Sequence, residues 1–122
     1  MIDCLKCVLT DLSVSGKITE EVVKVMMDAG IKEEVILVLK KLAEKYAIEK
    51  MILFGSRARG DYRKTSDIDL AVTGGDVVRF ALDVEDFVPT LLKFDIVDLG
   101  GPVQNELRES IKKEGIKIYE KI

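Results

Sequence analysis

Two aspartates separated by one residue, Asp67 and Asp69 in Ser66-Asp67-Ile68-Asp69-Leu70-Ala71-Val72, are the first candidates for chemistry. The segment alternates acidic and apolar residues with the period of a two-faced strand. Both carboxylates then leave the same face, from attachment points roughly 6.5 to 7 Å apart. Two ionised carboxylates about 4 Å apart repel by about 4 kcal/mol at an effective dielectric of about 20. A divalent cation resolves that conflict. All-oxygen ligation suits Mg²⁺ or Mn²⁺, and Mg²⁺ commonly takes one or two carboxylates together with substrate phosphates. The plain alternative is a solvent-facing strand edge whose acids deter edge-to-edge pairing.

The segment before it shifts that balance. Lys50-Met51-Ile52-Leu53-Phe54 is a short apolar run ending in Gly55-Ser56, which fits a buried strand passing into a helical turn. At such a junction free backbone N–H groups and the Ser56 hydroxyl face whatever sits there, and glycine allows an anion to approach closely. Arg57 and Arg59 add cationic donors able to reach phosphate oxygens or pair with the acids. The P-loop pattern is missing, because no Lys-Ser or Lys-Thr follows a glycine. Taken alone, Gly55-Ser56-Arg57 also reads as an ordinary strand-to-helix turn.

Gly55-Ser56-Arg57-Ala58-Arg59-Gly60 followed by Asp67-Ile68-Asp69-Leu70 closely resembles the G-S-x-x-x-G…D-x-D signature of the DNA polymerase beta superfamily of nucleotidyltransferases. The resemblance is closest to the minimal nucleotidyltransferases and covers about Lys32 to the C-terminus. It implies a third carboxylate on the next core strand, at Asp95 in Phe94-Asp95-Ile96-Val97-Asp98. Alternation puts Asp95 and Asp98 on opposite faces, so at most one joins the pair. The family pattern favours Asp95, leaving Asp98 near a strand end, solvated or capping a turn.

The resemblance further implies in-line attack of a hydroxyl on the α-phosphorus of a nucleoside triphosphate, with two Mg²⁺ ions (or Mn²⁺) held by Asp67, Asp69 and Asp95. Gly55 and Ser56 would bind the leaving phosphates, Arg57 and Arg59 would support them, and Asp95 is also the candidate general base. The leading function it implies is AMP transfer from ATP to a tyrosine of a helical HEPN-type toxin partner, the chain acting as antitoxin. The competing readings are a non-catalytic antitoxin that works by contact, and transfer to a small hydroxylated molecule.

These residues need a scaffold. Residues 1–30 read as an N-terminal helical extension of two short helices, Asp3–Leu12 and Thr19–Ala29, broken at Ser13-Val14-Ser15-Gly16 and stopped by Gly30; residues 31–122 read as the nucleotidyltransferase domain. A stronger helix is expected over Lys32–Ala47, where Val35, Val38, Leu39, Leu42, Ala43 and Tyr46 recur at the spacing of one buried face. Val77, Phe80, Ala81, Val84 and Val88 predict another helix, and Phe94–Leu99 a third strand. Pro102 suits the start of a final helix marked by Val103, Leu107 and Ile111, with Gly115 ending it and Ile116–Tyr119 adding a short edge strand. Alternating strands and helices predict an α/β fold, a small mixed sheet with helices packed on it.

Composition sets the outer limits. The 122 residues suffice for one compact domain, and 48 % hydrophobic with 34 % charged residues is the balance of a globular protein. No apolar run approaches the roughly 20 residues of a membrane span, and a cytoplasmic location is expected. A net charge of −3 argues against general nucleic-acid binding. Histidine is absent, so catalysis falls to carboxylates. Cys4 and Cys7 form a lone C-x-x-C without the further ligands a zinc site needs, and reduced cysteines on a helix face are expected. Ile2, Leu5, Val8 and Leu9, then Val22, Val23 and Met26, are expected to cover the domain's own core, the competing role being a docking or homo-oligomer surface.

Overall fold

The computed structural model describes residues 16–17 and 20–121. The first expected helix, with Cys4 and Cys7, lies outside the described residues. Five strands, β1 (Gly16–Lys17), β2 (Lys50–Phe54), β3 (Ile68–Thr73), β4 (Phe94–Asp98) and β5 (Ile116–Lys121), form one mixed sheet in the order β1-β5-β2-β3-β4. The β3–β4 pair is parallel and the other pairs are antiparallel. The helices are α1 (Glu20–Asp28), α2 (Glu33–Lys45), α3 (Ser56–Arg59), α4 (Val77–Phe87) and α5 (Asn105–Glu114).

Strand alternation divides the core between two faces. Met51, Leu53, Ile68, Leu70 and Val72 point to the face covered by α1, α2 and α4, where Met26, Leu39 and Phe80 are fully buried. Phe54 and Ala71 point to the other face, against Ile111 of α5. That second cluster is small, and among the described residues it includes none from the leading ends of β3 and β4.

Several elements depart from expectation for identifiable reasons. In α2, Ile36 and Lys40 are buried beside the anticipated Val35, Leu39, Leu42 and Ala43, whereas Val38 and Tyr46 are only half-buried. The helix is flanked by both α1 and α4, so burial spreads beyond a single stripe; Lys40 keeps its charge partnered by Glu44 at 3.5 Å. Pro102 and Val103 precede α5, which begins at Asn105. Ile116–Lys121 is an inner strand between β2 and β1, longer than the expected edge strand, because Gly16–Lys17 pairs with Glu120 and Lys121 where only a break was anticipated. In α1, Val23 and Met26 are buried and Val22 packs against the same core, as expected of a helix covering its own domain. Gly30 ends α1 in the left-handed region (φ 80°), where Gly30 N–H donates to Met27 and Ile31 N–H to Met26.

Candidate active site

The sheet ordering brings Gly55, Asp69 and Asp95 to one end of the sheet. β2 runs up to Gly55 while β3 starts beside it, pairing Phe54 with Asp69. β4 lies parallel on the far side of β3 and places Asp95 directly across from Asp69. Asp67 falls one residue before β3 rather than within it, and Ile68 N–H donates to the Lys93 carbonyl at 2.8 Å, so pairing with the β4 side begins there. The two-residue spacing returns Asp67 to the face of Asp69. Asp98 ends β4, exposed, and its carboxylate accepts a hydrogen bond from Gly100 N–H at 2.9 Å. It caps a turn, as anticipated for the competitor of Asp95.

Asp69 is half-buried while Asp67 and Asp95 are exposed. Burial pushes the Asp69 carboxyl above the ordinary carboxylate range; the negative charges of Asp95 and Asp67 add to this, and Arg59 opposes it. Among the described residues no three His, Cys, Asp or Glu side chains already form a closed cage for an ion. The two exposed aspartates would have to rotate toward Asp69. The donor set nevertheless suits a hard divalent cation: it offers oxygen alone, and the repulsion felt at Asp69 is what such an ion relieves.

Gly55 adopts φ 75° and ψ −156°, a combination glycine tolerates and other residues strongly resist. A Cβ there would stand 2.2 Å from Asp69 Oδ2. The missing side chain is thus what lets the turn lie against the carboxylate. Ser56 opens α3, whose first N–H groups have no carbonyl a turn earlier within the helix. Gly60 closes it in the left-handed region, its N–H donating to the Ser56 carbonyl at 2.9 Å.

The two arginines have different fates. Arg57 is buried, and its guanidinium donates to the carbonyls of Ala29 (2.8 Å) and Ser66 (3.0 Å), with longer contacts to Arg63 and Lys64. It also lies 4.7 Å from the Tyr62 ring centroid. Its donors serve protein carbonyls, so the expectation that it supports phosphate gives way to a structural tie between the end of α1, α3 and the 61–66 loop that delivers Asp67. Arg59 is exposed on the acids' side and bridges Asp61 (3.3 Å) and Glu114 of α5 (3.1 Å). Sequence reasoning missed Tyr62, whose hydroxyl donates to the Asp28 carbonyl, and Glu114. Neither carries a local signal, since each acts through a residue distant in the chain.

The family "Polymerase beta, Nucleotidyltransferase" matches residues 38–122. A Methanocaldococcus jannaschii protein named provisionally as a protein adenylyltransferase is 33 % identical over 84 residues, covering 65 % of this chain and 85 % of that protein. A second such protein from the same organism is 43 % identical over 58 residues, covering 46 % of this chain; the chain spans only 56 % of that relative's length. A solved structure of a provisionally named minimal nucleotidyltransferase is 30 % identical with a TM-score of 0.52, covering 66 % of this chain and 86 % of the other. A toxin–antitoxin crystal structure with AMP-PNP shares the fold, with a TM-score of 0.55 at 24 % identity over 70 % of this chain and 71 % of that one. The chain therefore belongs to the polymerase beta nucleotidyltransferase family, among its minimal nucleotidyltransferases. No helix among the described residues is long and apolar enough to cross a membrane.

Proposed function

We propose that this protein transfers AMP from ATP to a tyrosine hydroxyl on a helical HEPN-type partner and acts as that partner's antitoxin, using Mg²⁺ held by Asp67, Asp69 and Asp95. The observation that carries the reading is the placement of Asp69 between the Gly55 turn and Asp95 at one end of one sheet face, with Asp67 on the same side. Support for the substrate and partner comes from the relatives named as protein adenylyltransferases and from the toxin–antitoxin structure with AMP-PNP.

The acceptor hydroxyl attacks the α-phosphorus; a new O–P bond forms, and the bond to the bridging oxygen breaks with its electron pair leaving on pyrophosphate. Asp95, exposed at the edge strand where an acceptor can approach, takes the hydroxyl proton on a carboxylate oxygen. The Ser56 hydroxyl and the first N–H groups of α3 donate to the departing phosphates. Asp67 and Asp69 would hold the cation on the triphosphate side of the site. Two such cations, when bound, neutralise the attacking and leaving oxygens.

Calorimetric titration of ATP, with and without Mg²⁺, into wild type and an Asp67→Asn/Asp69→Asn variant tests the nucleotide site. Binding that requires both Mg²⁺ and the two acids is expected; binding indifferent to both rejects the site. Transfer of labelled AMP onto a co-purified helical partner, lost when its acceptor tyrosine is replaced by phenylalanine, tests the acceptor, and unaltered labelling would reject it.

A further inference from the structure

On the opposite face of the sheet from the three carboxylates lies a cavity of about 750 Å³. Ile68 shows the relation between the two places: it lines the cavity, while its neighbours Asp67 and Asp69 leave the chain on the other side. Ile31, Val35, Val88 and Leu92 extend the apolar lining. The charged lining is of one sign. Lys32, Lys64 and Arg57 contribute to it and no Asp or Glu does, in a chain where acids outnumber Lys and Arg by 22 to 19. The Arg57 donors are committed to carbonyls, whereas Lys32 and Lys64 are exposed and pair with no acid among the described residues.

An apolar hollow of this size with a few placed polar groups has the character of a small-molecule site. Its two available cations select the sign of the ligand. We infer that the cavity binds a small amphipathic anion, an apolar body buried against Ile31, Val35 and Ile68 with one carboxylate, sulfonate or phosphate head meeting Lys32 and Lys64. A nucleoside triphosphate is the wrong occupant: its charge would have to enter an apolar lining, and the carboxylates suited to its metal ions are on the other face.

The test uses 1-anilinonaphthalene-8-sulfonate, an apolar ring system with one anionic head, titrated into the full chain by fluorescence. One saturable site is expected. Decanoate should displace the probe at least roughly tenfold better than decanol of equal chain length, and Lys32→Glu/Lys64→Glu should weaken probe binding by roughly tenfold or more at low salt. Saturating ATP with Mg²⁺ should leave binding unchanged, which separates this cavity from the nucleotide site. If the charge-reversed variant misfolds, Lys32→Gln/Lys64→Gln is read instead, with a several-fold loss expected. Unsaturable binding, equal displacement by decanol, indifference to both lysine variants, or displacement by ATP with Mg²⁺ would each overturn the assignment; the first three would leave only adhesion to exposed side chains such as Leu82 and Phe87.

Discussion

Replacing Arg57 by alanine should destabilise the protein strongly. The guanidinium is 3 % exposed and donates to the Ala29 carbonyl at 2.8 Å and the Ser66 carbonyl at 3.0 Å. Each carbonyl left without its charged donor costs about 1 to 3 kcal/mol, and losing the contact with the Tyr62 ring adds about 0.5 to 1 kcal/mol. Discounting for the longer contacts and for partial rehydration of the 61–66 loop, the loss should be about 3 to 5 kcal/mol, a large share of the roughly 5 to 15 kcal/mol that such domains possess. At about 4 °C per kcal/mol for a chain of this size, the Tm should fall by about 12 to 20 °C. Arg57→Lys keeps a charge but cannot span both carbonyls with a planar fork, and should recover less than half of the loss. Thermal and urea unfolding followed by circular dichroism measure both variants. A Tm within about 3 °C of wild type for Arg57→Ala would show that the carbonyls are satisfied without the arginine and refute the reasoning.

Asp69→Asn should cut AMP transfer by about 100-fold or more while the fold survives, because it removes an ion ligand and a source of repulsion; full activity in a labelled-ATP assay would count against the site. The raised Asp69 carboxyl also gives a signed pH effect. The folded protein keeps this proton to higher pH than the unfolded chain, so in metal-free buffer the group favours folding below the ordinary carboxylate range, and that contribution is lost as pH rises through the raised value. Wild type should thus lose stability relative to Asp69→Asn as pH rises above the ordinary carboxylate range, and a constant difference in urea midpoints would contradict it. Gly55→Ala should abolish Mg²⁺-dependent ATP binding, since the new methyl group would occupy space 2.2 Å from Asp69 Oδ2 at φ 75°; calorimetry showing wild-type affinity would mean the turn relaxes freely. Mg²⁺ at tenfold excess over its Kd should stabilise wild type by about 1.4 kcal/mol, read as a raised Tm, and leave Asp67→Asn/Asp69→Asn unmoved; equal shifts in both would place the ion elsewhere.

Much of the scaffold was legible because hydrophobic periodicity is a local property. The strands ending at Phe54, carrying Asp69 and carrying Asp95, and the helices built on Leu39, Phe80 and Ile111, all follow from spacing within short windows. Asp69 pairs with Asp95 across parallel strands, and Gly55 is seated against Asp69. The strand-end capping role of Asp98 was likewise within reach of alternation and turn chemistry.

What the chain alone left undecided depends on partners distant in sequence. Gly16–Lys17 is a strand only because β5 offers it a free edge, and that pairing turns Ile116–Lys121 from a border into an inner strand. Lys40 is buried on a helix that both α1 and α4 flank. Arg57 and Arg59 are two residues apart in one short helix and look equivalent as a string. Tertiary structure sends Arg57 inward to carbonyls from Ala29 and the 61–66 loop, and leaves Arg59 outside among acids. Residue type and spacing determine which groups can share a face, since strand and helix periods are intrinsic to the backbone. Which of them meets a partner is set by packing, because a hydrogen-bond donor is committed only when the fold brings an acceptor to it.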